Sequence, residues 1–136
     1  MKTLILFFIS LLSFSASYSQ EGNLLGTWQI TDCTYVTKEG TRKNLEAEIK
    51  NGKAVCDLFF MKDGKYKMIS NMTESGTMET NEGSWKIKGN KLILTLVLDG
   101  VQRELVNTFE QKNNNLITTN SSPDEKMRII NTFKRK

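Results

Sequence analysis

The chain has 136 residues, with 19 lysines and arginines against 15 aspartates and glutamates, two cysteines, no histidine and a formal net charge of +4. That length supports one domain around one core and is too short for two. Without histidine a serine or cysteine nucleophile lacks its usual base, two thiols alone do not make a zinc or haem site, and the small basic excess argues against a nucleic-acid face.

The N-terminus comes first. Lys2 precedes an apolar run over residues 4–12, and Ser17 and Ser19 are the small residues of an export-signal cleavage site before Gln20. A membrane span needs about 20 apolar residues, roughly twice this run. The expected organisation is a signal peptide over 1–19 and a single domain over 20–136. The protein is therefore expected to be secreted, periplasmic or extracellular, with no membrane anchor after cleavage. In an exported chain Cys33 and Cys56 are expected to form a disulfide. Closing about two dozen residues, it would contribute roughly 3 kcal/mol; two buried thiols are the alternative.

Strand-like runs follow at residues 25–37, 55–61, 65–71 with an extension towards 80, 83–88, 91–98, 101–111, 116–120 and 126–134. Hairpin residues separate most of them: Lys62-Asp63-Gly64, Gly89-Asn90, Asp99-Gly100, residues 112–115, and Ser122-Pro123-Asp124-Glu125. The one long connection, 38–54, holds a short helix in which Asn44 is the cap, Leu45 and Ile49 share a face and Gly52 is the stop. It is either a lid or a plug for one end of the fold.

The turns set the register. A two-residue Asp99-Gly100 turn pairs Leu98 with Val101, so Leu92, Leu94, Leu96 and Leu98 share a face with Val101, Arg103, Leu105, Asn107 and Phe109. Gly89-Asn90 sets Ile87 against Leu92 and Trp85 against Leu94. With Gly64 left-handed in a three-residue turn, Phe60 meets Tyr66, and Leu58 and Met68 join that face. Alternation backward from Phe133 places Asn131 inward. Eight consecutive antiparallel strands with one apolar face bury it by closing into an up-and-down barrel. Phe59, Met61, Ile69, Ile93, Val97 and Ile130 then point outward, as a surface for the helix or for another protein.

Four motifs carry a family likeness: Gly26-Thr27-Trp28 in the first strand; Phe60-Met61-Lys62-Asp63-Gly64-Lys65-Tyr66 at the first tight hairpin; Gly83-Ser84-Trp85-Lys86-Ile87 running into Gly89-Asn90-Lys91-Leu92-Ile93-Leu94; and the closing Asn131-Thr132-Phe133-Lys134-Arg135-Lys136. In these the chain resembles the lipocalin superfamily, in particular the short lipocalin-like domains of exported Bacteroidetes proteins. The resemblance implies an all-β, eight-stranded antiparallel barrel with one short helix in its first long loop. It further implies that Trp28 packs structurally at a closed end, crossed by a basic residue from the last strand: Arg128, Lys134 or Arg135. The chain departs from larger lipocalins in lacking a helix after the last strand and a clear second motif.

The residues favour binding over catalysis. Glu46, Glu48, Asp57, Glu79, Glu82 and Glu104 could supply a carboxylate pair, but they fall at turns or outward positions, so no catalytic residue is assigned. No metal ligand set or cofactor is expected. The candidate ligand contacts are the inward residues Phe60, Tyr66, Met68, Trp85, Leu94, Leu96, Arg103, Leu105, Asn107 and Asn131, which serve equally as core. An inward Arg103 would suit an anionic head group such as a fatty acid's, with Asn107 and Asn131 assisting; the alternative is that it reaches the rim and solvent. The expected function is an exported, non-enzymatic binding protein for a small hydrophobic or amphipathic molecule. The alternative is a module that binds an exported protein, for instance a hydrolase it inhibits, through the barrel surface.

Overall fold

The computed structural model describes residues 23–73, 75–98, 100–122 and 126–136. The expected export signal over 1–19, the cleavage site before Gln20, and the turn residues Asp99, Pro123, Asp124 and Glu125 lie outside them. In chain order the elements are β1 (Gly26–Thr37), β2 (Arg42–Asn44), α1 (Glu46–Lys50), β3 (Cys56–Phe60), β4 (Lys65–Ser70), β5 (Glu79–Lys88), β6 (Lys91–Leu98), β7 (Val101–Lys112), β8 (Asn115–Ser121) and β9 (Met127–Arg135).

Strands β3 to β9 meander in sequence order. β1 pairs with β3 through Gly26–Gln29 and with β9 through Trp28–Thr37, which closes an eight-stranded antiparallel barrel. The short β2, unforeseen in the sequence, adds to the outer end of β1 through the pair Tyr35 and Lys43. The hairpins set the register as their turn residues dictate. Leu98 pairs with Val101, Trp85 with Leu94, and Phe60 with Tyr66, where Gly64 takes a φ of 78°.

A β-bulge between Ile30 and Asp32 changes which residues of β1 face inward. Trp28 and Ile30 are buried before it; Cys33 is buried after it, opposite Asn131, and Tyr35 follows opposite Ile129. The expected disulfide is absent: Cys33 and Cys56 are both buried and both free. The β1–β3 ladder ends at Gln29 and Asp57, before either cysteine, so no strand pair sets the two thiols opposite each other. Burial pushes both thiols up, Cys56 to about 11.

The core is continuous from Leu24 and Trp28 through Leu58, Phe60, Tyr66, Trp85, Leu92, Leu94 and Leu96 to Leu116 and Phe133. Phe60 and Trp85 meet edge to face with ring centroids 5.2 Å apart. Gly83 lies between Tyr66 and Leu96 in the sheet, and a Cβ there would stand 2.0 Å from the Thr95 carbonyl oxygen and 2.8 Å from the Tyr66 ring. Burial of the large Tyr66 ring thus requires glycine at 83.

The outward apolar residues differ in fate. Ile93 is buried outside the main core, Phe59, Ile69 and Ile130 are half-buried, and Met61 and Val97 are exposed.

Candidate functional site

The two ends of the barrel are built differently. At one end Trp28 is fully buried and donates its Nε1 hydrogen to the Leu24 carbonyl at 2.9 Å. The Arg135 guanidinium lies over its ring, 4.4 Å from the centroid, so of the three basic residues expected there Arg135 is the one that crosses it. Arg135 also donates to the Leu25 carbonyl at 2.7 Å and to the Asn23 carbonyl, tying the chain's entry segment to its last strand. Every nitrogen that makes this closure faces a carbonyl or a π face.

The other end is open. Along β1 and β9 the inward pairs run from Trp28 and Arg135, through Cys33 and Asn131, to Tyr35 and Ile129, and finish at Thr37 and Met127. Here a cleft of about 860 Å³ lies between Tyr35, Met127 and Ile129 of the barrel, Leu45 and Glu48 of the overlying segment, Lys53 and Ala54, and residues Asn71, Met72, Thr73 and Gly76 of the connection after β4. A second, mainly apolar cleft of about 480 Å³ shares Tyr35, Leu45 and Met127 with it and adds Thr37, Thr41 and Lys43.

The segment over the mouth is tied to β1 by β2 and by the residues that start the helix. The Leu45 amide donates to the Cys33 carbonyl at 2.9 Å, and the Asn44 side chain donates to Asp32 and Thr34 while its oxygen accepts the Glu46 amide. Asn44 therefore organises the helix start, one position ahead of the capping residue Leu45. Gly52, at a φ of 81°, ends the turn that follows α1, and no residue of α1 is fully buried. Leu45 and Ile49 pack half-buried on the core.

The candidate ligand contacts fall into three groups. Phe60, Tyr66, Trp85, Leu94 and Leu96 are buried in the packed core, and burial pushes the Tyr66 phenol up to about 12. Met68 and Asn131 are half-buried between that core and the mouth, and Asn107 is buried. Arg103 and Leu105 keep the expected register, opposite Leu96 and Leu94, yet both are exposed; Leu105 is 41% accessible where its partner Leu94 is 8%. The reason is the sheet itself. β7 pairs with β8 only from Thr108 to Lys112, so among the described residues its stretch 101–107 is laddered to β6 alone. Arg103 is accordingly solvated rather than directed at a buried head group.

None of the candidate contacts lines the mouth cleft. Its inward residues Met127 and Ile129 were accessible to the same alternation that placed Asn131, continued two steps further back from Phe133. Tyr35 was hidden by the bulge, which no residue in β1 announces. Glu48 and Met72 sit in connections where alternation has no meaning.

A model of the lipocalin-like domain matches residues 24–118, well over half of the chain. The chain belongs to the lipocalin-like domain family. This family is non-catalytic, and among the described residues no group of three or more histidine, cysteine, aspartate or glutamate side chains could hold a metal. Its fold is shared with a lipocalin-like protein from Bacteroides uniformis, 18% identical, at a TM-score of 0.53 over 83% of this chain and 98% of that one. Also similar are an uncharacterized protein from Bacteroides eggerthii (16% identical, TM-score 0.48, covering 82% and 98%) and the fluorescent protein UnaG (13%, 0.47, covering 85% and 98%). No curated protein matches the chain. As a lipocalin-like barrel the molecule can in principle enclose a small hydrophobic ligand, and no helix among the described residues is long and apolar enough to cross a membrane.

Proposed function

We propose that this lipocalin-like protein is an exported carrier or sensor that holds a small hydrophobic or amphipathic molecule at the mouth of its barrel. The observation that carries this reading is the cleft of about 860 Å³ whose apolar lining comes from Tyr35, Leu45, Ala54, Met72, Met127 and Ile129. That volume lies within the range of small-molecule sites, roughly 300–1,000 Å³. The molecule is held under the segment that carries Leu45 and Glu48. Export rests on the N-terminal pattern, Lys2 followed by the apolar run and Ser17 and Ser19 before Gln20.

Native mass spectrometry of the protein purified from its own host, followed by denaturing extraction, tests both points. The expected result is a chain beginning at Gln20 with about one small molecule bound. A chain that retains Met1 counts against export, and bare protein that also takes up no apolar probe counts against the carrier.

A second reading is favoured by one feature, the exposed apolar side chains Val97, Val101, Leu105 and Val106 on β6 and the singly laddered part of β7. They suit a protein partner such as an exported hydrolase. A stoichiometric partner recovered from the host's secreted fraction, and lost on Val101→Lys, would support it.

A further inference from the structure

We propose that the molecule at the mouth reaches inward with an uncharged group that both donates and accepts hydrogen bonds, a carboxamide, which Asn131, Thr118 and Asn107 hold on the inner wall of the barrel. This rests on the cleft being a binding site, and names what meets its occupant at the inner end. Ile129 lines the cleft, and Asn131 is the next residue of the same face, roughly 7 Å deeper along β9. Asn131 pairs with Cys33 on one side and Thr118 on the other, in ladders that continue past it in both directions. The surface that its half-buried, inward side chain keeps therefore opens on the barrel interior. Thr118, on the same face, is 5% accessible. Asn107 is 8% accessible and sits opposite the core residue Leu92, where β7 parts from β8. The neighbouring Asn120 is already used: its amide donates to the Val106 carbonyl at 3.3 Å.

The side chains of Asn107, Thr118 and Asn131 make no hydrogen bond among the described residues, yet none of their polar atoms is sealed off as the carboxylate oxygens of Glu48 and Asp57 are. Polar groups withdrawn this far without a protein partner are costly, and a group that can reach and pair them recovers that cost. The wall is also uncharged. Arg103 is the one ionic residue on that face of β7, and it is solvated. A carboxylate would therefore be buried without a counter-charge. An ester offers acceptors only and leaves the amide oxygens of Asn107 and Asn131 unpaired, whereas a carboxamide brings both an N–H donor and a C=O acceptor.

The test is displacement of the neutral fluorophore N-phenyl-1-naphthylamine from the full protein by decanamide, methyl decanoate and decanoate at pH 7. The expected order places decanamide at least about tenfold ahead of the ester and the acid, a difference in the range of one good polar contact. Asn131→Leu should remove that lead with fluorophore binding retained. Thr118→Val, which keeps the shape and removes only the hydroxyl, should reduce it, and provides the same reading if Asn131→Leu does not fold. Arg103→Gln should leave the order unchanged. If the ester or the acid displaces as well as the amide, or if the folded variants keep the full lead while the fluorophore still binds, this inference is overturned and the cleft stands. If the fluorophore does not bind at all, the cleft falls and the inference with it.

Discussion

At the closed end Trp28 and Arg135 lock the first and last strands together, and the Trp28 Nε1 and the Arg135 guanidinium each donate to a backbone carbonyl. At the mouth, the segment with Leu45 and Glu48 rests half-buried on Tyr35 and Ile129, with one carboxylate oxygen left without a donor. On the proposed function, stability and binding are divided between the ends. The Trp28–Arg135 closure holds the barrel shut at one end, whereas the half-buried segment with Leu45 and Ile49 covers the end where we propose that a ligand enters.

The division is open to attack from the closed end first. Trp28→Ala removes a fully buried ring and its cation contact and should cost about 3–5 kcal/mol in urea unfolding. Gly83→Ala should cost about 3 kcal/mol or prevent folding, because the new Cβ would meet the Thr95 carbonyl oxygen at 2.0 Å, a backbone atom that cannot turn aside. A loss below about 1 kcal/mol in either variant would mean that the closed end is not where stability resides.

Alkaline unfolding sharpens the comparison. Burial pushes the Cys56 thiol up to about 11 from 9.0, against the hydrogen bond from Ser70, and Tyr66 up to about 12 from 10.0. Both groups are protonated in the fold, so their contribution is complete below pH 9, and is lost as the pH rises through about 11 and 12. Circular dichroism should show a stable protein up to about pH 9 and a steep loss above it. The same burial should keep both thiols unreactive to a disulfide reagent at pH 8 until denaturant is added.

At the mouth the expected effects on stability are small and those on binding large. Leu45→Ala should cost about 1 kcal/mol or less, since the residue is half-buried, while it weakens uptake of an apolar fluorophore severalfold. Arg103→Ala should be smallest of all, within about 0.5 kcal/mol and without effect on that uptake, because its side chain is solvated. Loss of binding in Arg103→Ala would return that guanidinium to the site.

Local chemistry accounts for what was legible in the chain. Gly64, Gly89 and Gly100 adopt positive φ and dictate the hairpins, and the hairpins dictate that Leu98 meets Val101 and Trp85 meets Leu94. Alternation then names nearly all of the core, and the Trp28 and closing-strand motifs name the family. Three decisions belong to the assembled sheet. The bulge after Ile30 turned Cys33 and Tyr35 inward, and the two thiols stay unpaired. The short pairing of β7 with β8 left Arg103 and Leu105 in solvent although their register was as expected. The mouth cleft brought together residues from four separate stretches, including Glu48 and Met72 in connections. Turn residues act over two or three neighbours and can be read one at a time, while bulges, strand splaying and clefts depend on how distant strands share space, which only the closed barrel decides.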